Sequence, residues 1–213
     1  MFVSAITVAI LSKAIHEPFP STCAYPIEIV HYNDFEQFIH AKARLYIDCA
    51  FEPDPNRIAA LQSLLPEPVL INAVDYAAGP NEKGVIRFNG WPGFGYKPVL
   101  ELAGNGEELP ESLLQFAMAC GLTCIQVPDK IGLVRPRVVS MIINEAYFTL
   151  AEGVSTRHEI DTAMKLGTNY PFGPFEWGEK IGLQRIVRLL VKLAETDSKY
   201  QPAPNLLNAS QLP

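Results

Sequence analysis

The first glycine in this chain of 213 residues is Gly79. A turn that cradles a nucleotide pyrophosphate needs glycine where the backbone bends tightly, in the first strand–helix connection of an α/β sheet. No G-x-G-x-x-G can stand there, and the later "GWPGFG" at 90–95 holds bulky residues with no helix after it. Dinucleotide binding in the usual mode is therefore not expected. Positive charge is scarce too. Seventeen Lys and Arg against 23 Asp and Glu leave a formal charge of −6. No basic cluster stands out, which argues against nucleic acid and membrane surfaces as partners. The opening "MFVSAITVAILSKAIHEPF" is too short to span a bilayer and lacks a basic start and a small-x-small cleavage site. It reads as a buried strand. Cysteines are few: Cys23, Cys49, Cys120 and Cys124, with no His or further Cys at zinc spacing. They read as reduced thiols of a cytoplasmic protein, and no metal site is expected.

What is present alternates. "ITVAIL" (6–11), "IEIVH" (27–31), "RLYIDCAF" (44–51), "PVLINAV" (68–74) and "TCIQV" (123–127) are Val- and Ile-rich strand patterns. Between the third and fourth, Asp54 can cap a helix that Pro55 begins, with Ile58, Leu61 and Leu65 as its buried stripe. Before the last strand, Pro110 opens a second helix and Gly121 stops it. Strand–helix–strand alternation implies right-handed crossovers and a mostly parallel sheet.

After Asp129 the strand signal ends. Residues 133–153 form a helical pattern apolar on two faces, one with Val139, Ile143, Ala146 and Leu150, the other with Val134, Val138, Met141 and Ile142. Within it, Asn144–Glu145 reads as a cap for a neighbouring segment, because a buried carboxylate must find a donor. Thr156 and Glu159 make a capping box for the next helix, which Gly167 ends, and His158 in its first turn reads as solvated. Residues 183–200 are amphipathic through Ile186, Leu189, Leu190 and Leu193. Between them, "KLGTNYPFGPFEWGEKIGL" (165–183) is too rich in Gly and Pro for a helix interior, and its aromatics read as filling a seam between helices. The fold class is α/β plus all-α, with an α/β domain at 1–129 and a helical domain at 130–213.

Five pieces of the second half stand in order: "DKIGLVRPR", "INEA", "AEGV", "EIDTAMKLG" and "NYPFGPFEW", with the tail "SKYQPAPNLL". Together they resemble the C-terminal domain of the 3-hydroxyacyl-CoA dehydrogenase family. The first half resembles that family's nucleotide-binding domain more distantly, in a shortened Rossmann-like form. "LYIDCAFEPDPNR" puts Glu52 and Arg57 at an acidic and a basic family position, and "VIRFNGWPGFGYKPVLELA" puts Glu101 on the family's catalytic Glu. The resemblance implies an acyl-CoA substrate, with Glu52, Arg57, Arg137, Asn169 and Tyr170 as candidate substrate-binding residues. It also implies that the 170–177 loop borders the acyl-CoA cleft as a second duty.

The departures concern the reaction centre. In the family a His paired with that Glu removes the hydroxyl proton. Here none of His16, His31, His40 and His158 lies near. A gap-free count from Glu101 places Asn89 at the His position, and alignment on the Phe places Arg87 there. An amide lacks useful basicity and Arg stays protonated. Val74 stands for the family's substrate-binding Ser, and Pro136 for its helix Asn. The resemblance thus implies a catalytically impaired homodimer acting as an accessory or acyl-CoA-binding protein, with no cofactor in the usual mode. Two alternatives stay open: an active dehydrogenase using NAD at a rebuilt site, and a partner chain for another dehydrogenase subunit.

Overall fold

A computed structural model describes residues 5–12, 19, 23–24, 26–76, 84–95, 97–104 and 108–211. The chain divides into two compact units, one of Met1–Trp91 with Lys97–Leu133, the other of Pro92–Tyr96 with Val134–Pro213.

Among the described residues the first unit holds a seven-stranded sheet. Its strands are β1 (Ile6–Leu11), β2 (Ile27–Tyr32), β3 (Leu45–Asp48), β4 (Val69–Asn72), β5 (Val85–Phe88), β6 (Val99–Ala103) and β7 (Thr123–Val127), in spatial order β2-β1-β3-β4-β5-β6-β7. All neighbours pair in parallel except β5 and β6, which are antiparallel. Both faces are covered, so the central strands are apolar on both sides rather than alternating. Val8, Ile10, Leu45, Ile47, Leu70, Phe88 and Leu102 belong to one core, whereas Ala9, Leu11, Tyr46, Val69 and Ile71 belong to the other. Each fully buried Val, Leu, Ile or Phe among them contributes roughly 1.5–3 kcal/mol relative to exposure.

Among the described residues three helices serve this sheet: α1 (Phe35–Ile39), α2 (Pro55–Gln62) and α3 (Glu111–Ala119). Asp54 caps α2 by accepting from the Arg57 amide, and Pro55 occupies its first turn, as its sequence signals predict. The stripe is shorter than its pattern: Leu61 is buried, but Leu65 lies beyond the helix end and is exposed. Gly121 sits at φ +66° after α3, the left-handed conformation that a stop residue requires.

The cysteines differ from expectation. Cys23 and Cys120 form a disulfide, with Cα atoms 5.1 Å apart, while Cys49 and Cys124 remain thiols. A separation of 97 residues hides this pair from any reading of local spacing; the packing of α3 beside the entry to β2 brings it together.

The second unit is helical: α4 (Arg135–Ala151), α5 (Arg157–Thr168), α6 (Pro174–Ile181), α7 (Leu183–Ala194), a 3-10 turn at Ser198–Tyr200 and α8 (Pro204–Ser210). Two boundaries correct the sequence reading. Gly167 lies inside α5, which ends instead at Asn169 in the left-handed conformation, φ 55°. The Gly- and Pro-rich run also contains a helix, α6, because Pro174 falls in its first turn, where a missing N–H costs nothing. Gly178 is tolerated inside it for a packing reason: a Cβ there would lie 2.9 Å from Leu183 Cδ2. Among the described residues no helix is long and apolar enough to cross a membrane.

Candidate functional site

The antiparallel register of β5 and β6 pairs Phe88 with Leu102, which sets Asn89 opposite Glu101. The Asn89 amide N–H donates to the Glu101 carbonyl at 3.0 Å, and Asn89 Nδ2 lies 3.4 Å from Glu101 Oε2. Both side chains are buried, so Glu101 is no surface carboxylate. Asn89 Oδ1 accepts from the Trp91 amide at 3.2 Å, which fixes the amide with its NH₂ toward the carboxylate. Of the two positions open to the missing base, the structure brings Asn89 to Glu101.

Arg87 does different work. Its guanidinium is fully buried, donating to Asp129, to the Ala73 carbonyl at 2.6 Å, to the Tyr76 carbonyl and to the Lys130 carbonyl at 3.0 Å. Gly132 N–H donates to the Val74 carbonyl at 2.7 Å. Arg87 and these bonds tie the segment after β7 to the end of β4. A buried charge must be matched in this way, and Asp129 with three carbonyls does so.

Arg57 holds Asp48. Its Nε and Nη2 donate to the Asp48 carboxylate at 2.9 and 2.7 Å, and its guanidinium lies 4.3 Å from the Phe35 ring centre. Glu52, four residues on, is exposed. The strand order reverses between β1 and β3, where an α/β sheet opens a crevice for ligands at the strands' carboxyl ends. At that end stand Ser12, the Asp48–Arg57 pair and, next along, Asn72, whose side chain bridges the Cys49 carbonyl and the Gly90 amide. Asp48 and Arg57 are occupied with each other, and Asn72 with backbone groups. The segment that follows β1, residues 13–18, lies outside the described residues.

In the helical unit the motif residues bind one another. Asn144 donates from Nδ2 to the Gln201 carbonyl at 3.0 Å and accepts from the Ala203 amide at 2.8 Å, so it fastens the tail. Asn144 is the buried member of its pair; Glu145 is exposed, contrary to the reading that a buried carboxylate does the capping. Asp161 accepts from the Phe175 and Glu176 amides at 2.8 and 3.3 Å, capping α6 from α5. Glu176 in turn accepts from the Gly173 amide at 3.0 Å and from Lys165 at 2.5 Å. The Lys165 hydrogen bond, then that of the Gly173 amide, holds its carboxyl below the ordinary range. Glu159 is lowered likewise by the Thr156 and Ser155 hydroxyls of its capping box. Trp177 is buried, donates from Nε1 to the Gly93 carbonyl at 2.9 Å and meets Phe94, Tyr170 and Phe172 edge-on or tilted. The seam reading of the aromatic run is thus the geometry observed. Asn169 is exposed at the α5 terminus, Tyr170 half-buried against Trp177, and His158 exposed. The signal that sequence reasoning passed over was Asp161, which stands inside a quoted motif as an acid one turn beyond a capping box.

The second apolar face of α4 stays open. An uncovered groove of about 700 Å³ runs along α4 and α5, floored by Val138, Met141, Ile142, Ile160, Ala163 and Met164. Its rim carries Arg137 and Lys199, both over the Tyr200 ring, and the acids Glu145 and Glu159.

Comparison with known proteins gives the second half a family. Residues 132–211 match the family model of the 3-hydroxyacyl-CoA dehydrogenase C-terminal domain. Over 106 residues the chain is 41% identical to 3-hydroxyadipyl-CoA dehydrogenase of Escherichia coli (strain K12), covering 49% of this chain and 22% of that protein. It is 36% identical over 117 residues to probable 3-hydroxybutyryl-CoA dehydrogenase of Bacillus subtilis (strain 168), covering 51% of this chain and 41% of that one. The chain thus spans less than half the length of these curated relatives. Among solved structures, M. tuberculosis FadB2 shares the fold with a TM-score of 0.69 at 18% identity, over 84% of this chain and 69% of that chain.

Proposed function

We propose, from the premise that residues 132–211 belong to the 3-hydroxyacyl-CoA dehydrogenase C-terminal-domain family, that this chain is a 3-hydroxyacyl-CoA dehydrogenase-like protein of acyl-CoA metabolism with an impaired oxidation step. It acts as a homodimeric accessory or acyl-CoA-binding protein. One observation carries the reading. The group set against buried Glu101 is the Asn89 amide, where the family's chemistry needs a base. Oxidation of a 3-hydroxyl requires removal of its proton as hydride leaves, and a side-chain amide cannot take that proton at neutral pH. Loss of a general base costs on the order of 10² to 10⁴ in rate. The open groove along α4 supports the dimer: Glu145 lies two turns along α4 from Arg137, so an antiparallel two-fold pairing would set unlike charges opposite each other.

A second reading, an active dehydrogenase using NAD as hydride acceptor, rests on the same pair. Glu101 remains buried beside position 89, so the framework of an acid–base pair persists. One sample distinguishes the two. The protein is titrated with 3-hydroxybutyryl-CoA in a calorimeter and then assayed for NADH formation at saturating NAD. Binding with turnover far below about 1 per second, the low end of ordinary enzymes, is the expected result. Steady turnover above that rate overturns the impaired reading, and no heat of binding overturns the acyl-CoA role.

A further inference from the structure

The disulfide lies outside everything that the family resemblance explains. Cys23 precedes β2, an edge strand that among the described residues pairs with β1. Cys120 caps the C-terminus of α3. Beside the bond, the Ala24 amide donates to the Ala119 carbonyl at 3.3 Å. Phe19 packs on Phe88 and Phe116 with ring centres 5.5 and 5.3 Å away, so the entry to β2 is anchored to α3 at two further points. An edge strand has hydrogen-bond partners on one side only and is the part of a sheet easiest to detach. The covalent link ties the entry to that edge strand to α3.

We propose that the Cys23–Cys120 bond is a redox-responsive staple, so that the stability of the α/β unit, and not that of the helical unit, follows the thiol–disulfide poise of its surroundings. Both half-cystines are only half-buried, within reach of a small dithiol. In the reducing direction a dithiol thiolate attacks one sulfur, the S–S bond breaks, and the second thiol of the reductant resolves the mixed disulfide. Cys23 and Cys120 each gain one hydrogen, and the dithiol leaves as its own disulfide. The chain's own thiols are poor attackers. Cys49 and Cys124 are packed against the same core, and burial pushes the Cys124 thiol up, which leaves little thiolate to attack. The bond therefore answers to outside reductants rather than to internal reshuffling. Both cysteines lie in the first unit, and a cross-link of 97 residues' separation constrains most of that unit's unfolded chain and, of the second unit, only Pro92–Tyr96.

Each unit carries its own buried tryptophan, Trp91 in the first and Trp177 in the second, which makes the test local. Air-oxidised full-length protein is denatured without reductant and its free thiols counted. Two are expected, Cys49 and Cys124; a count of four overturns the proposal. Urea unfolding is then followed by fluorescence in Trp177→Phe and Trp91→Phe, each with and without dithiothreitol. Reduction should raise the unfolding constant reported by Trp91 by about 10² to 10³ and leave the Trp177 transition in place. Cys23→Ser/Cys120→Ser should resemble the reduced protein and ignore dithiothreitol. If that variant does not fold, the wild-type cysteines compared with and without reductant still decide. A Trp91 transition indifferent to dithiothreitol, or equal shifts in both reporters, refutes the staple.

Discussion

Trp177→Ala tests whether the aromatic run holds the helical unit together. The indole is 2% exposed, and a tryptophan buries roughly 200–250 Å². At about 25 cal/mol per Å² this gives roughly 5–6 kcal/mol, an upper bound because unfolded chains already hide some surface. Truncations of this kind cost about 3–5 kcal/mol in practice. The substitution also leaves the Gly93 carbonyl without its donor, about 1 kcal/mol more. We expect a loss of about 4–5 kcal/mol in the helical unit. With a urea dependence of about 2 kcal/mol per molar, its midpoint falls by roughly 2 M. Far-ultraviolet circular dichroism follows the helices, while Trp91 fluorescence reports the α/β unit and should not move. Trp177→Phe separates the contributions, since it keeps a ring among Phe94, Tyr170 and Phe172 but loses the Nε1 donor. It should cost only about 1–2 kcal/mol. An alanine variant that unfolds like the parent would refute the seam, and a phenylalanine variant as damaged as alanine would show that the hydrogen bond, not packing, carries it.

Two further outcomes follow from the same unit. A Cβ at Gly173 would overlap the Asp161 side chain that accepts the Phe175 and Glu176 amides. Gly173→Ala should therefore lower the thermal midpoint through overpacking and a lost cap, together about 2–4 kcal/mol; an unchanged midpoint in differential scanning calorimetry refutes the Asp161 cap. Sedimentation equilibrium at micromolar concentration should give twice the chain mass of 23.5 kDa, with the two α4–α5 grooves buried against each other. A mass that stays at one chain as concentration rises rules the dimer out.

The local chemistry of the sequence determined the elements whose causes are local. Asp54 and Pro55 begin α2, Thr156 and Glu159 begin α5, and the Ile- and Val-rich runs become β1 and β7 over their expected residues and β2 with one residue more, Tyr32. Caps and apolar periods act over three or four residues, so sequence alone states them. The dense, ordered motifs of the second half are those of the family model that residues 132–211 match. Tertiary structure decided what depends on distant pairing. Gly- and Pro-rich 174–181 becomes helical because Asp161 of the preceding helix supplies the cap that its own sequence lacks. Asn89 rather than Arg87 meets Glu101 because the antiparallel step between β5 and β6 sets the register, and Arg87 is drawn to Asp129 across 42 residues. The Cys23–Cys120 bond needed the fold to bring α3 beside the edge strand. Each is a contact between segments far apart in sequence, where side-chain chemistry permits many partners and only packing selects one.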